Sequence, residues 1–297
     1  MADVDEPTQV FVEHRELLFA CVYNILGSVA DTEDVLQETW LAWAARNRNP
    51  EAEPVENNRA YLVRVAVHQA LARRAAISRR RETYVGEWLP EPLVGPAYSD
   101  GDAAEAADRV ESFSMALLVV LESLTPLERA VFVLHEVFGY PHTEIADILG
   151  RNPSAIRQLA HRAREHVHAR RPRYRPDPRE QREVTERFLA AALGGDLEAL
   201  LRILAPDVTL WTDGGGKGPA WSPRPVHGRD RVARLFVRHV RDARKLGVDY
   251  RRINGEPAAV LFLDRSPFAV FVLDLTPAGQ VCGIYSVTNP DKLTRAR

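Results

Sequence analysis

The sequence predicts a multidomain protein in which two all-α domains, a helical bundle and a helix-turn-helix, precede one α+β domain. Apolar residues recur at three- and four-residue steps from about Val10 to Arg81 and again over 109–171, as in amphipathic helices. Beyond residue 181, short helical patterns alternate with runs rich in β-branched and aromatic residues. A chain of 297 residues has room for two or three such domains, each with its own core.

Two segments without periodicity predict the domain boundaries. The first combines glycines and prolines with no repeating apolar pattern, and the second, "RPRYRPDPRE", alternates arginine with proline. The predicted domains cover residues 8–84, 109–172 and 181–297, with linkers at 85–108 and 173–180.

The helical bundle is predicted to contain three helices. Gly27 ends the first, and Asp31 is a good N-cap for the second. The third runs from Arg59 to Arg81 and is strongly basic. In the second domain a helix is predicted over Arg109–Leu124, and Pro126 suits the first turn of the next one.

The last third of the chain has the pattern of an α+β domain. Short helices are predicted over Arg182–Leu193 and Leu197–Leu204, and a longer one over Arg229–Leu246. "DVTLWT" alternates like a strand, and "AAVLFLD", "FAVFVLDL" and "QVCGIYSVT" are β-rich runs separated by turn residues. Together they predict an antiparallel meander.

Composition and charge exclude several classes of protein. The formal net charge is only −2, but arginines crowd into Arg59–Arg81 and Arg151–Arg175, which favours an anionic partner for those helices. The N-terminus has no signal-peptide pattern and no apolar run approaches the ~20 residues of a membrane helix. Two cysteines are too few for a disulfide framework, and the histidines lie among arginines, so neither a metal nor a cofactor is expected. We therefore expect a cytoplasmic chain without a membrane partner.

The sharpest local pattern, "HTEIADILGRNPSAIRQLAHRAREHVHAR", predicts a helix-turn-helix. Gly150 allows the tight turn, and Asn152 with Pro153 begins the second helix, which would enter a major groove. The alternative is a helical hairpin with a solvated basic face. The basic side chains lie on the face that the core leaves free, which favours DNA binding. The outward residues expected to contact DNA are Ser154, Arg157, Gln158, His161 and Arg162.

The helical bundle has one basic and one acidic helix. The basic helix that starts at Arg59 combines arginines with aromatic and amide side chains, which suits a strand with exposed, stacked bases. The acidic helix "TEDVLQETW" is either a solvated face or a docking surface for a basic protein. The expected DNA contacts are Arg64, His68, Gln69, Arg73 and Arg74, and the expected docking residues are Asp34, Gln37 and Glu38.

"DTEDVLQETWLAW", then "RAYLVRVAVHQALARR", then the helix-turn-helix resemble the two domains of an extracytoplasmic-function (ECF) sigma factor. The resemblance covers about Val10 to Arg171. It implies that the acidic helix binds the β′ clamp of bacterial core RNA polymerase and that the following helix opens and recognises the minus-ten element of promoter DNA. It also implies that the helix-turn-helix recognises the minus-thirty-five element.

The stretch "TDGGGKGPAW" raises the question of a phosphate-binding loop. Such a loop needs Gly-Lys followed by Ser or Thr, and here Gly218 and Pro219 follow Lys217. Glycines also let a backbone pass close to another segment and tolerate positive φ. We interpret the loop as a latch against the inter-domain linker or a helical domain, with Asp213 and Lys217 pairing across the contact. Apolar linker residues such as Trp88 and Leu89 are plausible partners.

The last third resembles a SnoaL-like domain, a cone-shaped α+β module that some ECF sigma factors carry as a C-terminal fusion. Members of that subgroup share a "DGGGK" loop, an "NPDKL" motif and a proline-rich linker motif, here "WLPEPL". The resemblance implies that this domain modulates initiation in cis. The residues that it assigns to the regulatory contact are Trp88, Leu89, Pro90, Asp213, Gly214, Gly215, Gly216, Lys217, Asn289, Pro290, Asp291, Lys292 and Leu293.

Two other functions are compatible with the last domain. In an enzyme, Asp213 or His227 would transfer protons in a pocket, as in some SnoaL-like proteins. In a ligand sensor, an unidentified small molecule in the cone would bias the arrangement of the domains. We expect a regulatory domain without catalytic residues.

Overall fold

The computed structural model describes residues 6–82, 84–97, 114–170, 174, 176–219, 222–239 and 246–296. The chain divides into two compact units. The helical unit comprises Met1–Glu82, Asp108–Ser112 and Val120–Arg170, and the α+β unit comprises Thr83–Ala107, Phe113–Val119 and Arg171–Arg297. The predicted boundaries at 108/109 and 172/173, and the start of the helix predicted over Arg109–Leu124, lie outside the described residues.

Three helices form the predicted bundle: α1 (Glu6–Leu26), α2 (Val29–Arg48) and α3 (Asn58–Glu82). Gly27, at φ 71°, ends α1 as expected. The predicted N-cap of α2 is wrong: Ser28 caps the helix, and its Oγ accepts a hydrogen bond from the backbone N–H of Asp31 at 3.3 Å. Because Ser28 is in an extended conformation directly after the Gly27 turn, α2 begins earlier and Asp31 lies in its first turn.

The second part of the helical unit contains the predicted helix-turn-helix. After α4 (Met115–Leu121), α5 (Pro126–Phe132) begins with Pro126 at its first position and continues into a π-helical turn, Val133–Val137. Two further helices follow, α6 (His142–Leu149) and α7 (Pro153–Arg170). Gly150, in the left-handed conformation at φ 60°, ends α6 and makes the turn.

A seven-stranded sheet with three helices makes up most of the α+β unit. The strand order is β1-β4-β5-β6-β7-β2-β3, with β2 and β7 parallel and all other neighbours antiparallel. The predicted meander is therefore confirmed. The elements are β1 (Val94–Ala97), α8 (Pro178–Gly194), α9 (Leu197–Ile203), β2 (Leu204–Asp213), β3 (Val226–His227), α10 (Arg229–His239), β4 (Leu246–Ile253), β5 (Glu256–Leu263), β6 (Ser266–Leu275) and β7 (Val281–Val287).

The helix predicted over Arg229–Leu246 is seen over Arg229–His239, and residues 240–245 lie outside the described residues. The predicted end is wrong, because Leu246 is the first residue of β4, opposite Leu263 of β5. Pairing with β5 over eight residues outweighs the local helical spacing, as tertiary context often does.

The sheet has a core on each of its two sides. The helix side packs Phe188, Phe236 and Phe271 together with aliphatic residues. The opposite side, which we call the linker side, packs Val270 and Val272 with residues that precede the α+β sequence in the chain. The latter residues are Leu89, Met115 and Ala116. Among the described helices, none is long and apolar enough to cross a membrane.

The described part of the predicted linker is ordered within the α+β unit. Val94–Ala97 forms the edge strand β1 beside β4, and Leu89 is fully buried on the linker side. We call residues 84–97 the linker segment. Its packing places its backbone next to the "DGGGK" and "NPDKL" motifs, which form the candidate site.

Candidate functional site

The carboxylate of Asp213 is the centre of the site. It lies at the end of β2 and is fully buried. Its Oδ2 accepts hydrogen bonds from the backbone N–H of Leu89 at 2.9 Å and from Nζ of Lys292 at 2.7 Å, and its Oδ1 accepts one from the hydroxyl of Tyr84 at 2.5 Å. Three donors, one of them a cation, therefore satisfy a buried negative charge.

Lys292 binds the same linker peptide from the other side. Its Nζ donates to the carbonyl oxygen of Leu89 at 2.5 Å and lies 3.5 Å from the centre of the Trp88 ring. The ammonium group thus makes an ion pair, a hydrogen bond and a cation–π contact while only 7% exposed. Both backbone groups of Leu89 are held by one carboxylate and one ammonium group.

Asn289 completes the site beneath Tyr84. Its Nδ2 donates to the Tyr84 hydroxyl at 2.8 Å, and its backbone N–H donates to the carbonyl oxygen of Asp213 at 2.9 Å. Burial, followed by the hydrogen bond to Asp213, raises the pKa of Tyr84 well above its ordinary value. Tyr84 therefore stays protonated and remains a donor to Asp213.

The "DGGGK" loop needs glycines because its backbone passes very close to neighbouring side chains. Gly215 and Gly216 have φ of 59° and 71°, a region that side chains rarely adopt. A Cβ on Gly215 would overlap the side chain of Asn289, and one on Gly216 would lie 3.1 Å from Cβ of Val85. Only a backbone without side chains fits between the "NPDKL" segment and the linker segment.

The remaining residues of the two motifs shape the same region. Lys217 pairs with Asp291 at 2.6 Å, but both side chains are 61% exposed, so this pair contributes about 0–1 kcal/mol. The carbonyl oxygen of Gly214 accepts the N–H groups of Lys217 and Gly218, which closes the loop. Pro290 begins a 3₁₀ turn, Pro290–Lys292, whereas Pro90 and Leu293 are buried.

A second contact holds the linker segment further along. The backbone N–H of Asn254 donates to the carbonyl oxygen of Leu93 at 2.9 Å, and the N–H of Leu93 donates to Oδ1 of Asn254 at 3.2 Å. Asn254 has φ 53° and is 2% exposed in the turn between β4 and β5. Sequence reasoning missed Asn254 and Tyr84: Asn254-Gly255 is only a hairpin signal, and nothing marks Tyr84. We call Asp213, Asn254, Asn289 and Lys292 the linker-binding site.

The loop is predicted to pair across its contact through Asp213 and Lys217, and the two residues behave differently. Asp213 contacts the linker segment through Leu89 and Tyr84, and it also pairs with Lys292. Lys217 pairs with Asp291 of the "NPDKL" motif and not with the linker segment.

A second carboxylate, Asp274, lies on the linker side of the sheet. Its environment predicts that the free energy of unfolding depends on pH. The hydroxyl of Tyr285 donates to its Oδ2 at 2.9 Å, and a Cβ on Gly283 would lie 3.2 Å from that oxygen. Burial raises the pKa of Asp274 to about 6, and the bond from Tyr285 opposes that shift. The folded state therefore holds this proton more tightly than the unfolded state, whose pKa is the ordinary 3.8.

Asp274→Asn should stabilise the protein above pH 6 and have little effect near pH 4. The stability due to the raised pKa is present below about pH 4 and is lost as the pH rises through about 6. We expect a gain of about 3 kcal/mol at pH 8, measured by urea unfolding at both pH values. Asp291→Asn, at an exposed carboxylate, is the control. Equal effects of Asp274→Asn at pH 4 and pH 8 would contradict the assignment.

Helix α3 carries the residues predicted to contact an unpaired DNA strand. Two of them, His68 and Gln69, make hydrogen-bonding contacts with other residues of the helical unit. Nε2 of His68 lies 2.7 Å from the carbonyl oxygen of Ile148 at the end of α6. Oε1 of Gln69 accepts a hydrogen bond from the Thr39 hydroxyl at 3.0 Å. Arg64 is exposed.

Arg74 is not available to DNA in this arrangement, contrary to its predicted role. It is 5% exposed, and its guanidinium group binds Glu122 at 2.8 Å and the carbonyl oxygen of Leu26 at 3.1 Å. Glu122 also binds Arg129 at 2.6 Å, and Arg129 is fully buried. The three side chains form a buried ion network, Arg74–Glu122–Arg129, between α3 and the second part of the helical unit.

The acidic face of α2 is adjacent to α3. Arg73 binds Asp31 at 3.1 Å and also pairs with Asp34, while Glu38 lies at 4.0 Å from it. A residue predicted to bind DNA therefore neutralises residues predicted to bind polymerase. Gln37 is exposed.

The outer face of α7 is open, as the helix-turn-helix requires. Ser154, Arg157, Gln158 and His161 are exposed. Arg162 is also exposed and reaches Glu128 at 3.2 Å. These side chains line one helix from its N-terminal end, the part that contacts base edges in such motifs.

Comparisons with known proteins match both parts of the helical unit and the whole chain. The family model "Sigma-70 region 2" matches residues 10–81, and "Sigma-70, region 4" matches residues 114–167. The ECF RNA polymerase sigma factor SigJ of Mycobacterium tuberculosis is 37% identical, over 94% of this chain and 91% of that protein. The probable ECF RNA polymerase sigma factor SigI of the same species is 33% identical, over 100% of this chain and 98% of that protein.

A solved structure agrees with this sequence similarity. The crystal structure of the M. tuberculosis extracytoplasmic function sigma factor SigJ superposes with a TM-score of 0.73 at 33% identity, covering 96% of this chain and 97% of that one. The similarity therefore includes the α+β unit, whose helices on one side of a mixed sheet are the organisation expected of a SnoaL-like domain. The chain belongs to the family of ECF RNA polymerase sigma factors.

Proposed function

We propose that this sigma factor directs promoter-specific initiation with its helical unit, and that its SnoaL-like domain regulates it in cis by binding the linker segment. The single observation that carries the regulatory part is the binding of both backbone groups of Leu89 by Asp213 and Lys292. A carboxylate satisfied by three donors, one of them a cation, is suited to binding. Sigma factors are not enzymes, and Asp213 has no exposed surface to offer a substrate.

Core polymerase and promoter DNA are the proposed partners of the helical unit. Asp34, Gln37 and Glu38 on α2 would bind the β′ clamp. The exposed face of α7 would recognise the minus-thirty-five element, and Arg64, His68, Gln69 and Arg73 on α3 would contact the opened minus-ten element. Arg73 would exchange its acidic partners for DNA once α2 is bound to polymerase.

The position of the linker segment in the chain explains how its binding acts on initiation. It begins two residues after α3 ends at Glu82, and Met115, where α4 begins, packs on the linker side with Leu89. The SnoaL-like domain thus holds the chain directly after region 2 and at the start of region 4. The reach between the two DNA-binding parts depends on whether this stretch is bound or free.

The contacts of α3 support a closed state of the helical unit, in which α3 is bound to the second helical part. His68 and the buried ion network tie α3 to the second helical part. Burial in this network leaves Arg74 unavailable to an unpaired strand, whereas His68 is exposed and is held only through its Nε2. Binding of the minus-ten element would require these contacts to separate. Regulation through the linker segment would favour one of the two arrangements.

Promoter-dependent transcription with purified core polymerase tests the proposed function. Full-length protein should bind core polymerase and initiate from a cognate promoter, selected from a random library by the holoenzyme itself. Failure to bind core polymerase at low salt would contradict the proposal.

Arg157→Ala should weaken recognition of that promoter. A bidentate arginine–base contact is worth about 1–3 kcal/mol, so we expect roughly 5- to 150-fold weaker binding of the minus-thirty-five element. Fluorescence anisotropy with holoenzyme measures it. Arg202→Ala, at an arginine on α9 that is also exposed to solvent, is the matched control. Equal affinity of both variants for promoter and for random DNA would assign α7 another role.

A further inference from the structure

The linker-binding site recognises its occupant mainly through backbone groups. The N–H and C=O groups of Leu89 bind Asp213 and Lys292, and those of Leu93 bind Asn254. Beyond them, β1 adds to the edge of β4 as an extra antiparallel strand. Strand addition with backbone pairing is how many domains bind extended peptides from other proteins.

Side chains add specificity at two positions. Leu89 fills the apolar linker side of the sheet, and the Trp88 ring covers the ammonium group of Lys292. The residue after Leu89 is Pro90, and Pro92 precedes Leu93, so the peptide between the two anchors is stiff and extended. Its prolines have no N–H groups that need partners.

The site is built entirely from the α+β sequence and keeps its charges paired without the linker. Asp213 and Lys292 contact each other at 2.7 Å, and Asn289 binds the Asp213 backbone. Removing the linker segment therefore leaves a paired carboxylate and ammonium group beside an uncovered apolar surface. Such a surface suits an exchangeable occupant.

We infer that the SnoaL-like domain is a peptide-recognition module that binds, in trans, an extended segment of a partner protein with an aromatic residue, a leucine and a proline in succession. The linker segment is its intramolecular ligand, and a partner segment that replaced it would release the linker. This inference depends on the proposed regulatory role of the linker, and it adds the chemical class of the regulator.

The linker segment competes with a free peptide for the same site, and this competition determines the apparent affinity of the peptide. A tethered ligand acts at an effective concentration on the order of millimolar, so the wild-type chain should bind a free linker peptide only weakly. A full-length chain with Trp88→Ala and Leu89→Ala keeps the site but weakens its own ligand. It should bind the same peptide at least about tenfold more tightly, since less competition remains.

The experiment uses a fluorescent peptide with the sequence of residues 84–97 and measures anisotropy with the full-length variants. We expect saturable binding to the Trp88→Ala/Leu89→Ala chain and much weaker binding to wild type. Adding Asp213→Asn and Lys292→Met, a neutral pair, should abolish binding. A peptide with an N-methyl group on the nitrogen of Leu89 should bind at least about tenfold more weakly, because it lacks the donor to Asp213.

Three results would overturn the inference: no binding to the linker variant, equal binding of the N-methylated peptide, or formation of dimers by linker exchange in place of peptide binding. Thermal unfolding of each variant verifies that the α+β unit is folded. Transcription assays separate this inference from the proposed function. If linker variants alter initiation but no peptide binds, only the inference fails; if the peptide binds but initiation is unchanged, the regulatory role fails.

Discussion

Asp213→Ala is expected to destabilise the α+β unit by about 3–5 kcal/mol, since it leaves the buried ammonium group of Lys292 without its counter-ion. The N–H of Leu89 and the hydroxyl of Tyr84 lose their acceptor as well. Urea unfolding followed by tryptophan fluorescence measures the loss. The linker segment should also become accessible to a glutamyl endopeptidase, which cleaves after Glu87.

Two variants separate the buried pair from general effects of charge. Asp291→Ala removes a carboxylate of the same region that is exposed and pairs with Lys217, so it should cost less than about 1 kcal/mol. Asp213→Asn combined with Lys292→Met replaces the pair with neutral groups and should cost much less than Asp213→Ala alone. Equal losses for Asp213→Ala and Asp291→Ala would show that the linker-binding site contributes little to stability.

Glu122→Ala is expected to have the second large effect, on the helical unit. Glu122 is the common partner of Arg74 and Arg129, whose side chains are 7% and 0% exposed. Its removal leaves two buried guanidinium groups next to each other, which should cost about 3–5 kcal/mol or open the contact between α3 and the second helical part. Unfolding followed by circular dichroism measures the loss of stability. Hydrogen exchange of the α3 amides measures the opening of the contact.

The matched control is Glu136→Ala. Glu136 pairs with Arg164 at 2.7 Å, but the side chains are 35% and 42% exposed, so less than about 1 kcal/mol is expected. If Glu122→Ala were as mild as this control, the buried ion network would not hold the closed state. If it opened the helical unit without unfolding it, minus-ten binding by α3 should become stronger.

Helical periodicity and short motifs predicted much of the architecture. Three- and four-residue apolar spacing located α1, α3 and α7. Helices α3 and α7 bury apolar residues at that spacing, whereas the second half of α1, from Ala20 to Leu26, is buried on all sides. The alternating runs gave the meander of β5, β6 and β7. The "DGGGK", "NPDKL" and "WLPEPL" motifs marked three segments that the structure places in contact through Asp213, Lys292 and Leu89.

The partners within the site depended on tertiary contacts that local sequence does not encode. Tyr84 follows a basic helix and has no motif around it, yet it reaches Asp213 across the fold. Asn254 has the sequence of an ordinary hairpin turn, and its side chain happens to face the linker segment. Arg74 resembles any other arginine of α3 in sequence, but its position on the helix directs it to Glu122.

The central claim is that binding of the linker segment by the SnoaL-like domain controls initiation. The most direct measurement compares promoter-dependent transcription by core polymerase with wild type and with the Asp213→Asn/Lys292→Met chain. Gly194→Ala, at a helical glycine with open space around it, serves as the control. We predict that the double variant changes the initiation rate about fivefold or more, the range of a typical coupling between sites, while the control matches wild type. An unchanged rate in a double variant whose linker is demonstrably cleavable by the glutamyl endopeptidase would contradict the claim.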